Sequence, residues 1–185
     1  MLNINVLHYK LSMLIIGVYT FVAFPCHAGA PTASEYQIKS VFLYNFVNFI
    51  DWPDSAFDSS SSPFNLCVFG KNPFGAFLKV ATDNQKAGQH PIKLHYLDHT
   101  SQISICHILY ISDTQPAQIQ PVLHLTQKHP ILTVSDEKDF ISLGGMVNFF
   151  KISNKVRLAM NPDAIKKAKL KASANLLKLA KITKR

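Results

Sequence analysis

Acidic residues are entirely missing from the first thirty positions of this 185-residue chain. In that stretch His8 and Lys10 precede an apolar run over residues 11–24, interrupted only by Ser12, Gly17 and Thr20. The run falls short of the roughly 20 apolar residues that a membrane-spanning helix needs. Pro25 follows, and then small residues in the pattern signal peptidase cuts, with Cys26-His27-Ala28 or Ala28-Gly29-Ala30 before the scissile bond. Residues 1–30 are therefore expected to be a cleavable signal peptide, and residues 31–185 a single exported domain. Pro25 stands where a lipoprotein signal requires a small residue, so Cys26 is expected to leave with the signal peptide. An uncleaved amino-terminal anchor is the alternative.

Cysteine is scarce as well: three in all, and only Cys67 and Cys106 beyond the signal segment. An exported chain with two cysteines has one intramolecular pairing available to it. A Cys67–Cys106 disulfide is expected, closing a loop worth about 4 kcal/mol in the unfolded-chain account. Two buried thiols, acting as small hydrophobes, are the alternative.

Recognisable catalytic motifs are absent. No GxSxG elbow, Walker loop or GxGxxG follows a strand, and Gly144-Gly145 comes before a strand, where it suits a positive-φ turn. The eight histidines are scattered, without HExxH or a compact ligand spacing. His90 and His95 are expected on opposite faces of one strand, with His99 in the loop beyond. Cys106 and His107 are adjacent on a strand and so point apart, a poor geometry for a thiolate pair. Asp136, Glu137 and Asp139 are better placed to open a short helix than to form an acid–base set. No metal, cofactor or catalytic residue is therefore assigned, and the chain is not expected to be an enzyme.

What is present is apolar material, 48% against 16% charged, enough for a real core. Charge is segregated: residues 31–150 carry 7 Lys and Arg against 10 Asp and Glu, whereas residues 151–185 carry 11 against 1. In that tail, lysines such as Lys166 and Lys167 interleave with Ile165, Ala168, Leu170, Leu176 and Leu177. The pattern reads as a solvated face over a packed stripe, or as a contact for anionic lipid headgroups or an acidic partner. Nucleic acid is not expected, because the export signal and the lack of interleaved exposed aromatics both argue against it.

Apolar residues Ile38, Val41, Phe42, Phe46, Phe49 and Ile50 recur at helical spacing after Ser34, which can cap the helix, and Asp51-Trp52-Pro53 ends it. The four serines at 59–62 make an exposed loop before a strand at 64–69. A short helix at 73–81, strands at 92–97 and 106–111, a helix at 116–128 and a strand at 131–134 follow. Residues 147–152 and 156–160 pair as a hairpin about Ser153-Asn154, and Pro162 opens one or two basic helices running to about Ile182. Alternating strands and helices imply a mostly parallel sheet with an antiparallel edge hairpin, an α/β three-layer sandwich.

Ordered motifs then resemble one family across essentially the whole mature chain. They begin with the aromatic helix Lys39-Ser40-Val41-Phe42-Leu43-Tyr44-Asn45-Phe46-Val47-Asn48-Phe49-Ile50-Asp51-Trp52-Pro53. Cys67-Val68-Phe69-Gly70, Asn72-Pro73-Phe74-Gly75 and Cys106-His107-Ile108-Leu109-Tyr110-Ile111-Ser112 follow. Next come Leu132-Thr133-Val134-Ser135-Asp136, Phe140 and Gly144-Gly145-Met146-Val147. Asn161 and the ending Leu176-Leu177-Lys178-Leu179-Ala180 close the series. This series resembles the YfiR/HmsC-type periplasmic proteins.

The resemblance implies a periplasmic repressor that binds the periplasmic sensor region of an inner-membrane diguanylate cyclase, lowering cyclic di-GMP and biofilm formation. It also implies sequestration by an OmpA-like outer-membrane lipoprotein and assembly as a homodimer, and it places a family disulfide at Cys67 and Cys106. A second cysteine pair found in some members is absent, and Arg157-Leu158-Ala159-Met160-Asn161 departs from the usual ending. From a different class, a periplasmic small-solute-binding protein would hold its ligand at the carboxyl ends of the strands, near Gly70 and Ser112.

Overall fold

A computed structural model describes residues 35–112 and 116–183; the expected signal peptide, its expected cleavage positions and the expected Ser34 cap lie outside them. The described chain opens with helix α1 (Glu35–Phe49) and passes directly into a two-residue strand β1 (Ile50–Asp51). Then come β2 (Phe64–Phe69), α2 (Phe77–Thr82), β3 (Lys86–Ala87), β4 (His90–Leu97), a 3-10 helix at Thr100–Ile105, β5 (Ile108–Ile111), α3 (Pro116–Thr126) and β6 (Leu132–Ser135). The chain continues through β7 (Val147–Ile152), β8 (Lys155–Met160), α4 (Pro162–Lys167), β9 (Lys171–Ala172), α5 (Ala174–Leu179) and β10 (Ala180–Ile182).

Eight strands form one sheet in the order β10-β8-β7-β6-β5-β2-β4-β3. All neighbours run parallel except the β7–β8 hairpin and the β3–β4 pair. β1 and β9 pair separately and antiparallel, Ile50 opposite Ala172. The central strands β5 and β6 are buried at every position, as a sheet covered on both faces requires. Strand alternation sends Ile108 and Tyr110 into one core, with Leu43 and Phe46 of α1, Leu78 of α2, Ile165 of α4 and Leu176 of α5. Leu109 and Ile111 enter the other, beneath Ile119, Val122 and Leu123 of α3. The fold is thus mixed α/β with helices on both faces of a mostly parallel sheet.

Cys67 of β2 and Cys106, just before β5, belong to this second core and are joined by a disulfide with Cα atoms 5.9 Å apart. The hairpin turns at Ser153 and Asn154, both at positive φ (48° and 59°). Pro162 is the first residue of α4, capped by Asn161 Oδ1, which accepts from Ala164 N at 3.1 Å. Gly144 takes the expected positive φ, 109°. Gly145 is required for space, since a Cβ there would lie 2.2 Å from the Phe140 ring.

The basic tail forms two helices, as expected, but they do not run to Ile182: α4 stops at Lys167, Lys169 turns to φ 60°, Ser173 caps α5, which ends at Leu179, and residues 180–182 pair with the free edge of β8. Strand β10 therefore extends the sheet beyond the hairpin. No helix follows Asp136, because residues 136–145 form turns, and the Asp136 carboxylate binds a lysine instead of capping. Helix α2 starts at Phe77 and not at Pro73, since Asn72 orders the preceding residues as a turn by accepting from Phe74 N at 2.9 Å.

Candidate functional site

The chain winds from β2 to β4 on one side and from β5 to β6 on the other, so the carboxyl ends of β2 and β5 flank a topological switch point. Open α/β sheets hold ligands in the crevice at this place. A cleft of about 410 Å³ lies there, lined by Tyr36, Lys71, Pro73, Ser112, Asp136 and Glu137.

Its back wall begins with Lys39, which falls in phase with Leu43 and Phe46 on the inward stripe of α1 and is only 2% exposed. A buried charge must be paired to be tolerated. Lys39 Nζ pairs with Glu35 Oε1 at 2.5 Å and with Asp136 Oδ2, and lies 4.4 Å from the centre of the Tyr36 ring. Glu35 is shared with Lys151 of β7 at 2.7 Å, and the Tyr36 hydroxyl donates to Asp136 Oδ2 at 3.0 Å. The Tyr110 hydroxyl is fully buried and makes no regular hydrogen bond, yet it sits near enough to Asp136 to act on its charge.

Burial alone would raise the Asp136 carboxyl, but Lys39, Tyr110 and Tyr36 outweigh it and hold the group below its ordinary value. Hydrogen bonds from Lys151 and then Lys39 lower Glu35. Burial, and after it the Asp136 charge, raise both Tyr36 and Tyr110, which stay protonated. The cleft therefore presents an ionised carboxylate and a neutral phenol.

At the opposite strand ends His107 is buried and packs against both Phe57 and Phe64, ring centres 4.7 and 4.8 Å away. Its Nδ1 accepts from Asn65 N at 3.0 Å, so Nε2 carries the proton and donates to Ala56 O at 3.0 Å. His90 stacks on the other face of Phe57 at 3.8 Å and bonds Ser62 O at 2.7 Å, while His95 meets Asn65 Oδ1 at 2.9 Å. These contacts tie the serine-rich loop to the sheet. Among the described residues no three of His, Cys, Asp and Glu are placed to hold a metal ion.

The family model of YfiR/HmsC-like proteins matches residues 36–181. The chain belongs to the YfiR/HmsC-like family. The match runs from α1 to β10 and takes in both cysteines and both cores. The family is periplasmic, and regulatory rather than catalytic. In this YfiR/HmsC-like chain no helix among the described residues is long and apolar enough to cross a membrane.

The basic tail of this family member divides as its amphipathic pattern implies. Ile165, Ala168, Leu170 and Leu176 are buried, and Lys166, Lys167, Lys169, Lys171, Lys178 and Lys181 are exposed. Lys167 lines a groove of about 880 Å³ between α3 and α4, with His124, Leu143 and Asn161 among its other walls; Lys166 does not line it. The structure thus separates the lysine pair, on α4, from the cleft and from the disulfide. Sequence reasoning missed Lys39, although a lysine in phase with an apolar stripe was a readable signal. It also misassigned Asp136, whose partner lies 97 positions away.

Proposed function

We propose that this protein is a periplasmic repressor that binds the periplasmic sensor region of an inner-membrane diguanylate cyclase, lowering cyclic di-GMP output and biofilm formation. The observation that carries this reading is the family match across residues 36–181. A disulfide-stapled α/β domain suits a regulator that works outside the cytoplasm. On the same reading a homodimer is the working form, and an OmpA-like outer-membrane lipoprotein sequesters it. The exposed pair Lys166 and Lys167 supplies part of the cyclase contact, steering an acidic surface.

Deleting the protein should raise cyclic di-GMP and surface attachment, and the phenotype should vanish when the cyclase is deleted as well. Lys166→Glu with Lys167→Glu should carry cyclic di-GMP partway to the deletion level with the fold intact. An unchanged nucleotide level on deletion would sink the repressor reading. The cleft beside Gly70 and Ser112 favours a second reading, a periplasmic solute-binding protein. Failure of uptake of a small solute, with cyclic di-GMP unaltered, would select it.

A further inference from the structure

The groove between α3 and α4, of about 880 Å³, shares no lining residue with the cleft at the strand ends. Its volume falls within the roughly 300–1,000 Å³ of small-ligand pockets. The floor is apolar: Leu123, Met146 and Ala168 are buried, and Leu143 and Ala164 are half-buried. A Cβ placed on Gly144, which also lines the groove, would meet nothing within 4 Å, so the wall there faces open space.

One polar side chain in this lining has an unused donor. Asn161 is only 3% exposed, and its Oδ1 is engaged by Ala164 N. Its Nδ2 donates to no group among the described residues. Among those residues the Tyr110 hydroxyl is the one fully enclosed side-chain polar atom without a partner, so Asn161 Nδ2 is not sealed in and is reached from the groove that Asn161 lines. Buried amides ordinarily have their donors satisfied, and this one lacks an acceptor.

Two opposite charges stand beside it. Asp163 and Lys167 line the same groove, both exposed, and neither makes an ion pair among the described residues. Four positions apart on α4, their Cβ atoms are about 5–6 Å from one another. Along α4 the groove therefore offers an amide donor, a carboxylate acceptor and an ammonium, all above an apolar floor. A carboxylate set against Asn161 would be repelled by Asp163. A neutral amide would not, because its carbonyl answers Asn161 and its N–H answers Asp163.

We propose that this groove binds an N-acyl amino acid with an apolar side chain. The amide carbonyl accepts from Asn161 Nδ2, the amide N–H donates to Asp163, and the carboxylate pairs with Lys167. The side chain rests on Leu123, Leu143 and Met146. Binding here is independent of the repressor reading and of the cleft near Gly70 and Ser112, and can fail or succeed without either.

The test is a backbone-amide NMR titration of the intact protein with N-acetyl-L-leucine, with N-acetyl-L-leucinamide, which lacks the carboxylate, and with isocaproate, which lacks the amide. N-acetylleucine should shift the amides of Leu143, Gly144, Ala164 and Lys167 at millimolar concentration. Loss of a hydrogen bond to a charged group should weaken each analogue by about tenfold or more. Asn161→Asp keeps the acceptor for Ala164 N and removes only the donor, so it should weaken N-acetylleucine by about tenfold while the thermal melt is not lowered. Lys167→Gln, on the surface, should weaken N-acetylleucine by about the same factor and leave the leucinamide unaffected. Three results would each overturn the proposal: no shift with N-acetylleucine, equal binding of either analogue, or both variants binding N-acetylleucine as the unaltered protein does.

Discussion

Lys39 joins the first helix to the sheet, and what that side chain contributes depends on its partners being present. Removing one member of a buried ion pair costs about 3–5 kcal/mol, because the other charge is left uncompensated, whereas removing both is often nearly neutral. Lys39→Met and Asp136→Asn should each lower the urea midpoint markedly. The double variant should lose less than the sum of the two. A double variant as unstable as that sum would show that the residues act separately. His107 makes a second prediction at this scale. Burial, reinforced by His90, holds its pKa below the ordinary value near 6.5, against the opposing pull of the Ala56 bond and Asp58. A proton on Nδ1 would also remove the acceptor for Asn65 N. The unfolded chain takes up this proton first, so stability is complete above about pH 6.5 and falls as pH drops toward the folded-state value. His95, lowered by burial and then by Lys93, adds a contribution of the same sign. Urea unfolding at about pH 7 and about pH 5 should show the loss, and His107→Asn should shrink the difference between the two without abolishing it.

Elements were legible where the sequence carries their own period or punctuation. The apolar spacing from Ile38 to Ile50 placed α1, although Ile38 and Val41 prove exposed and Ile50 belongs to β1; the span of β2 was read to the residue, and Ser153-Asn154 placed the hairpin. One or two helices were read beyond Pro162 and two are there, but the break between them was not legible, for a definite reason. Helix α4 ends in a Schellman motif: Leu170 N donates to Ile165 O at 3.1 Å and Lys169 N to Lys166 O at 2.9 Å, with Leu170 and Ile165 in the same core. The left-handed position in that motif usually holds glycine, and here it is Lys169, so nothing in the composition announces the stop. Lys169→Gly should therefore raise stability by about 0.5–1 kcal/mol in thermal or urea unfolding, since glycine occupies φ 60° without the Cβ penalty. A loss on this substitution would mean that the lysine side chain holds the turn. The two-residue strands β1, β3 and β9 were invisible for another reason: only their tertiary partners make them strands.

Over the whole molecule, the sheet divides two cores of unequal make-up. One is covered by α1, α2, α4 and α5, the other by α3 and a 3-10 helix, and the disulfide lies in the second. The covalent link thus strengthens the face with fewer helices. Cys67→Ser should cost about 2–5 kcal/mol, and labelling of the oxidised, denatured protein should find no free thiol at 67 or 106. Two labelled cysteines would refute the bond.

Topology was readable from the alternation of helices and strands, and with it the place of the cleft near Gly70 and Ser112, but its charged back wall was not, because Lys39 and Asp136 meet only once β6 has been laid down beside β5. The pairing of β1 with β9, seconded by Ser173 N donating to Phe49 O at 2.8 Å, bears on time as well as shape. Helix α1 emerges early, yet much of what it packs against, from β7 to α5, emerges late. Contacts so distant along the chain are slow to form, and loop closure must precede any reward from them. Until its last quarter is available, the core beneath α1 lacks Phe149, Leu158, Ile165 and Leu176. On the proposed periplasmic reading, that late completion favours a chain threaded through an export channel before it folds.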